Sequence, residues 1–144
     1  MGAGVQSNGL IGFGKTGPSA STAAEEWDGT NWSATSSGSS ARAYLAGCGT
    51  RSSAIAFGSW NQTPGAATEE YNSTIFSPAT GAWASGGNMP TATTRLAGAG
   101  TQTAGLAFGG KTPVSGGATG AYKYDGTSWT TTGSLGTGRY SILS

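Results

Sequence analysis

The sequence predicts an all-β protein made of three consecutive four-stranded repeats, and three observations carry that reading. Its 144 residues hold 27 Gly against only 9% charged side chains, with five Trp, five Tyr and four Phe. Glycine, threonine and aromatics in this mixture mean short strands joined by tight turns. The chain also repeats itself: GAGVQSNGLIGFG (2–14), GCGTRSSAIAFGS (47–59) and GAGTQTAGLAFGG (98–110) superpose without gaps. Finally, no window sustains a helical period; AAEE (23–26) is too short and runs into strand-like residues. A period near 45–50 residues lies in the range of propeller blades.

The middle repeat shows the elements in order. RAYLAGCGT (42–50) reads as strand a, SAIAFGS (53–59) as b, AATEEYNSTIFS (66–77) as c and GAWASGG (81–87) as d. Strand a is rich in Gly and Ala, as an innermost strand crowded around a central channel requires. Strands c and d carry the Trp and Tyr that fill the wider outer gaps. Asp28-Gly29, Asp125-Gly126 and Pro78-Ala79-Thr80-Gly81 supply turn chemistry between c and d. Phe13, Phe57 and Phe108 mark the period, giving repeats 1–46, 47–97 and 98–144 within a single domain.

GLIGFGKT (9–16) fits the phosphate-binding P-loop pattern, and so does GLAFGGKT (105–112). A P-loop needs a helix behind its glycines. Here loops follow instead, GPSAST (17–22) and PVSGG (113–117), so the octet belongs to the repeat and not to nucleotide binding. A net charge of +1 offers no case for nucleic acid or an anionic membrane. The absence of His removes the commonest general base and most zinc and copper chemistry. No cofactor is expected. Cys48 stands alone between glycines and reads as a small buried apolar residue. Neither a signal peptide nor a membrane-spanning run is visible.

The paired glycine Gly109-Gly110, then Tyr124 and Trp129, then Arg139 opening the next inner strand, resemble the kelch repeat. SPATGAWASGGNMPTATTR (77–95) is similar to the kelch turn, Trp and Met-Pro-x-x-x-x-Arg; Gly14-Lys15 and Gly58-Ser59 depart from the double glycine. The resemblance covers the whole chain, and its low-charge copies are similar to kelch-like repeats of tailed-bacteriophage structural proteins. It implies a β-propeller in a virion or extracellular setting, with an interaction role and no catalysis. The copper-oxidase activity of some kelch propellers does not carry over to a chain without His.

Three blades leave two sheet edges open, whereas closed propellers have about four to eight blades. The chain starts inside an inner strand and stops at RYSILS (139–144), where another begins. The expectation is that two chains associate head to tail into a six-bladed ring, through Met1, Gly2, Arg139, Tyr140, Ile142 and Leu143. A piece of a longer repeat array would show the same cut.

Candidate ligand residues are few. Arg42, Arg95 and Arg139 recur where inner strands begin; they form either a cationic ring at the channel mouth or bonds to inter-blade carbonyls and carboxylates. Trp60, with Asn61 and Gln62, falls in a loop (59–65) where stacking on a sugar ring is the alternative to folding back over the blade edge. That loop gives the second functional reading, a lectin-like propeller. A sialidase-type glycosidase ranks third, for want of an acid–nucleophile pair. Trp27, Trp32, Trp83 and Trp129 read as inter-blade core, and Glu25-Glu26 and Glu69-Glu70 as edge-strand charges. The glycosylation patterns at Asn31, Asn61 and Asn72 arise readily by chance in so Ser- and Thr-rich a chain.

Overall fold

The computed structural model describes residues 1–61, 63–73, 81–114 and 116–142, with backbone alone at Asn61, Thr63 and Pro64. Among the described residues there is no helix. The strands are β1 (Gly2–Val5), β2 (Asn8–Gly12), β3 (Lys15–Thr16), β4 (Ser19–Ala20), β5 (Ala24–Trp27), β6 (Trp32–Thr35) and β7 (Ala46–Gly49). They continue as β8 (Ser53–Asn61), β9 (Thr63–Asn72), β10 (Ala82–Gly86), β11 (Ala97–Thr101), β12 (Ala104–Phe108), β13 (Ala121–Tyr124) and β14 (Trp129–Thr131). Three antiparallel four-stranded sheets result, ordered β1-β2-β5-β6, β7-β8-β9-β10 and β11-β12-β13-β14, with β3-β4 as a separate hairpin. Each four-stranded sheet is a meander whose strands follow one another in chain order, apart from the hairpin set aside in the first.

The link between the second and third strands differs among the sheets. In the first it carries the β3-β4 hairpin; in the second β8 and β9 run on past a bulge between Phe57 and Ser59. Ser59, Trp60 and Asn61 therefore pair with Gly65, Pro64 and Thr63 as strand, where a loop was expected. The expected turns between third and fourth strands hold where they are described. Asp28 Oδ1 accepts the Thr30 and Asn31 amides (2.7 and 2.8 Å), and Asp125 Oδ1 accepts those of Thr127 and Ser128 (2.9 and 2.8 Å). Those bonds also hold both aspartates below the usual carboxylate range. The Pro78-Ala79-Thr80 turn lies outside the described residues.

Backbone register corrects the period. Ala46 pairs with Phe57 and Ala97 with Phe108, while Met1 exchanges bonds with Gly12 (2.9 and 3.2 Å). Gly12, not Phe13, thus occupies the phenylalanine position. Phe13 instead shares the left-handed backbone of Gly58 and Gly109, with φ of 62°, 69° and 67°. A β-carbon is uncomfortable there, and its ring is held by Trp83, edge-on at 4.9 Å. Sequence alignment by the aromatic marker missed this because the shared property is handedness, not side chain.

The inner strands β1, β7 and β11 lie side by side. A β-carbon on Gly47 would come within 2.6 Å of the Met1 side chain, which is why this row is built from Gly and Ala. Two apolar clusters fill the gaps between sheets. Leu10, Ala54 and Tyr71, with Met1, Ala3 and Trp83, join the first sheet to the second. Ile55, Phe57, Ala107, Tyr124 and Trp129 are the centre of the larger one, between the second and third. Trp83 on Phe13 and Trp129 on Phe57 are matching edge-to-face pairs, both with centroids 4.9 Å apart. Each such pair adds about 0.5–1.5 kcal/mol beyond its buried area.

The segments before the inner strands also repeat. The amides of Gly14, Ser59 and Gly110 donate to the carbonyls of Arg42, Thr93 and Arg139 (2.9, 3.1 and 2.8 Å). Two residues on, Tyr44, Arg95 and Ser141 are all left-handed, and a ladder runs from Ser141 N to Arg95 O and from Arg95 N to Tyr44 O, both 2.9 Å. The three arginines are therefore not equivalent: Arg42 matches Thr93 and Arg139, whereas Arg95 matches Tyr44 and Ser141.

Candidate functional site

The left-handed turns at Tyr44 and Arg95 project both side chains outward, where the Arg95 guanidinium lies 5.2 Å from the centre of the Tyr44 ring. Beside them Trp60, in β8, bridges to Ala43 through its amide (2.7 Å), and Lys15 comes from β3. Together these four residues line a polar cleft of about 560 Å³, floored by Ala20, Ala41 and Ala43. Two aromatic surfaces and two cations in one cleft can stack on a sugar ring and hold a carboxylate. Sequence reasoning chose Trp60 and Arg95 but not Tyr44 or Lys15. The signal for Tyr44 was its register with Arg95, hidden while Arg95 was aligned with Arg42. Gln62 and the Asn61 side chain lie outside the described residues.

Arg42 is not part of this cleft. It is buried between the first two sheets, where its Nη2 pairs with Glu69 Oε2, its Nη1 donates to Ala67 O (3.1 Å) and its guanidinium covers the Phe13 ring at 4.5 Å. Burial pushes its pKa down and Glu69 opposes that shift. Its position fits the second sequence reading, bonds to inter-sheet carbonyls and carboxylates. Arg139, its register equivalent, is exposed instead.

The acidic pairs are not edge charges either, since β5 and β9 are interior strands of their sheets. Glu69 holds Arg42 and accepts the Ser39 amide (2.7 Å). Glu26 accepts Tyr71 Oη (2.6 Å) and the Arg51 guanidinium (2.8 Å), and Glu70 accepts Tyr124 Oη. Burial, then Glu70, pushes the Tyr124 phenol up to about 12. Trp83 and Trp129 are inter-sheet core as expected, but Trp32 is exposed on a face of the first sheet that no other described sheet covers. Asp28 and Asp125 sit in turns, and no group of three metal-binding side chains occurs among the described residues.

Of the expected contact residues, Met1 is committed within the chain, against the Leu10–Tyr71 cluster. Gly2 and Tyr140 are exposed, and Ile142 lines a hollow of about 300 Å³ with Leu45 and Leu96; Leu143 lies outside the described residues. No protein-family model matches the chain, and no curated protein matches it.

Proposed function

We propose that this chain is a non-enzymatic, kelch-like β-propeller module whose role is assembly and interaction, with the three sheets as blades. The observation that carries this reading is the recurrence of one set of contacts at the two inter-sheet junctions. The same tryptophan-on-phenylalanine contact, the same tyrosine-to-glutamate bond and the same backbone ladder recur. A junction that recurs from sheet to sheet generates a ring or a longer array. Two chains of three blades close a six-bladed ring, within the range of closed propellers. The kelch-like resemblance to phage structural repeats favours a virion or host-attachment component, acting on protein or cell-surface partners and not on nucleic acid. Among the described residues no helix is long and apolar enough to cross a membrane. Light scattering tests the reading: a ring of two has a mass of about 28 kDa, twice the 14.1 kDa chain. A chain that stays at 14.1 kDa at micromolar concentration contradicts it.

A second reading is favoured by the cleft of Tyr44, Trp60, Arg95 and Lys15. On this reading the propeller is a lectin for glycans bearing a carboxylate. Glycan-array binding that disappears in Trp60→Ala and Arg95→Ala supports it; an array without signal for the wild-type protein removes it.

A further inference from the structure

The two junctions inside the chain define what a third must contain, and both halves of it are present, unpartnered, at opposite ends of the molecule. In register, Gly12 pairs with Ala24, Phe57 with Thr68 and Phe108 with Ala121. Glu25, Glu69 and Tyr122 are therefore equivalent, as are Arg42, Thr93 and Arg139. At the first junction Arg42 meets Glu69 in a buried ion pair. At the second the same positions hold Thr93 and Tyr122, neutral on both sides. The remaining two are Arg139 beside the third sheet and Glu25 on the first, both exposed and neither in an ion pair among the described residues.

We infer that the outer face of the third sheet is covered by the first sheet of a second copy, with Arg139 of each chain paired to Glu25 of the other. This rests on the assembly reading above and assigns its contacts. The apolar positions agree. Leu10 and Ile55, each covered by the next sheet, are 1% and 0% exposed, whereas their equivalent Leu106 is 36% exposed. Across from it in the proposed contact stand Ile11 and Trp32 of the first sheet, 47% and 52% exposed. Trp32 is equivalent to Trp83 and Trp129 by its pairing with Trp27, so it meets Phe108 as they meet Phe13 and Phe57.

The outer polar contact changes in a matched way. Where Tyr71 and Tyr124 donate to Glu26 and Glu70, the open junction offers Trp27 opposite Lys123. An indole cannot donate to an ammonium group, but it binds one over its face. A tyrosine–acid contact is thus replaced on both sides at once. Charge, shape and donor–acceptor chemistry all select the chain's own opposite end, so the occupant is a second copy. The contact is head to tail, and two of them close under two-fold symmetry.

The test uses charge reversal in the full chain at positions exposed in the single copy. Arg139→Glu alone places Glu opposite Glu25 at both contacts, and Glu25→Arg alone places Arg opposite Arg139. Each is expected to raise the dimer Kd about 100-fold or more, since facing like charges oppose association. Near-ultraviolet circular dichroism first establishes that each variant is folded. The decisive sample is an equimolar mixture of the two single variants. In a mixed dimer one contact is the native Arg139–Glu25 pair and the other is its reversed form, so the mass returns to about 28 kDa, twice 14.1 kDa. A mixture that remains monomeric, or single variants that dimerise like wild type, overturns the pairing while leaving assembly intact. A monomeric wild-type protein overturns both.

Discussion

Replacing Glu69 by Ala tests the buried junction that serves as template for the rest. Both partners of the Arg42–Glu69 pair are only 4% exposed at the side chain, so solvent screening does little to soften the loss. Without Glu69, Arg42 keeps the Ala67 carbonyl at 3.1 Å and the Phe13 ring at 4.5 Å. Its Nε already has no acceptor among the described residues, and the Ser39 amide also loses its partner. Breaking one side of a buried ion pair costs about 3–5 kcal/mol. With an m-value of roughly 1–3 kcal/mol/M in urea, the unfolding midpoint falls by about 2 M. The assay is equilibrium urea unfolding followed by tryptophan fluorescence, at one fixed protein concentration because assembly adds to apparent stability. The double variant Arg42→Met, Glu69→Leu, which removes both charges, recovers most of the loss. A Glu69→Ala midpoint within about 0.3 M of wild type, corresponding to less than roughly 1 kcal/mol, refutes the buried pairing.

Tyr124, with its phenol raised to about 12, gives stability that is fully present below its unfolded value of 10.0 and disappears as pH rises through 12. Alkaline titration of stability therefore shows a falling limb across that window, and Tyr124→Phe makes it shallower, the rest coming from Tyr71, whose phenol burial also raises; an unchanged limb counts against the burial of Tyr124 beside Glu70. Burial pushes the Cys48 thiol up to about 11, so it reacts with a disulfide reagent at pH 8 only as the chain unfolds. Labelling at the rate of a free thiol in buffer contradicts the packing of β7. Trp60→Ala, at the rim of the cleft, is expected to remove any glycan binding while shifting stability by less than about 1 kcal/mol. A larger loss assigns Trp60 to the fold instead.

Strand content and sheet membership were legible because they depend on short-range chemistry. Alternating small and apolar residues, Asx turns and glycines all act within a few positions: β8 contains the expected strand b, β9 covers 66–72 of the expected strand c, and β10 lies inside the expected strand d. Register was not legible in the first repeat, where Phe13 stands one place beyond the phenylalanine position and only backbone pairing and a backbone angle reveal it. The same kind of slip merged Arg95 with Arg42, two residues apart in register but both beside an inner strand. That merger turned one buried structural arginine and one exposed arginine into an apparent ring. Glu69 looked like a surface charge because its partner lies 27 residues away, in the segment before β7, a distance over which sequence periodicity carries nothing. The cleft was half visible: Trp60 stood out as a large aromatic at a position read elsewhere as Thr16 and Lys111, but what it faces is set by how neighbouring repeats dock.

The junction between sheets is a repeating unit, and the proposed ring fills the half left open on each side of the chain. Sedimentation equilibrium of the wild-type chain over nanomolar to micromolar concentration measures this directly. A closed ring of two requires a reversible step from 14.1 kDa to about 28 kDa with nothing larger, because two contacts close it. A single 14.1 kDa species throughout, or unlimited growth with concentration, contradicts it.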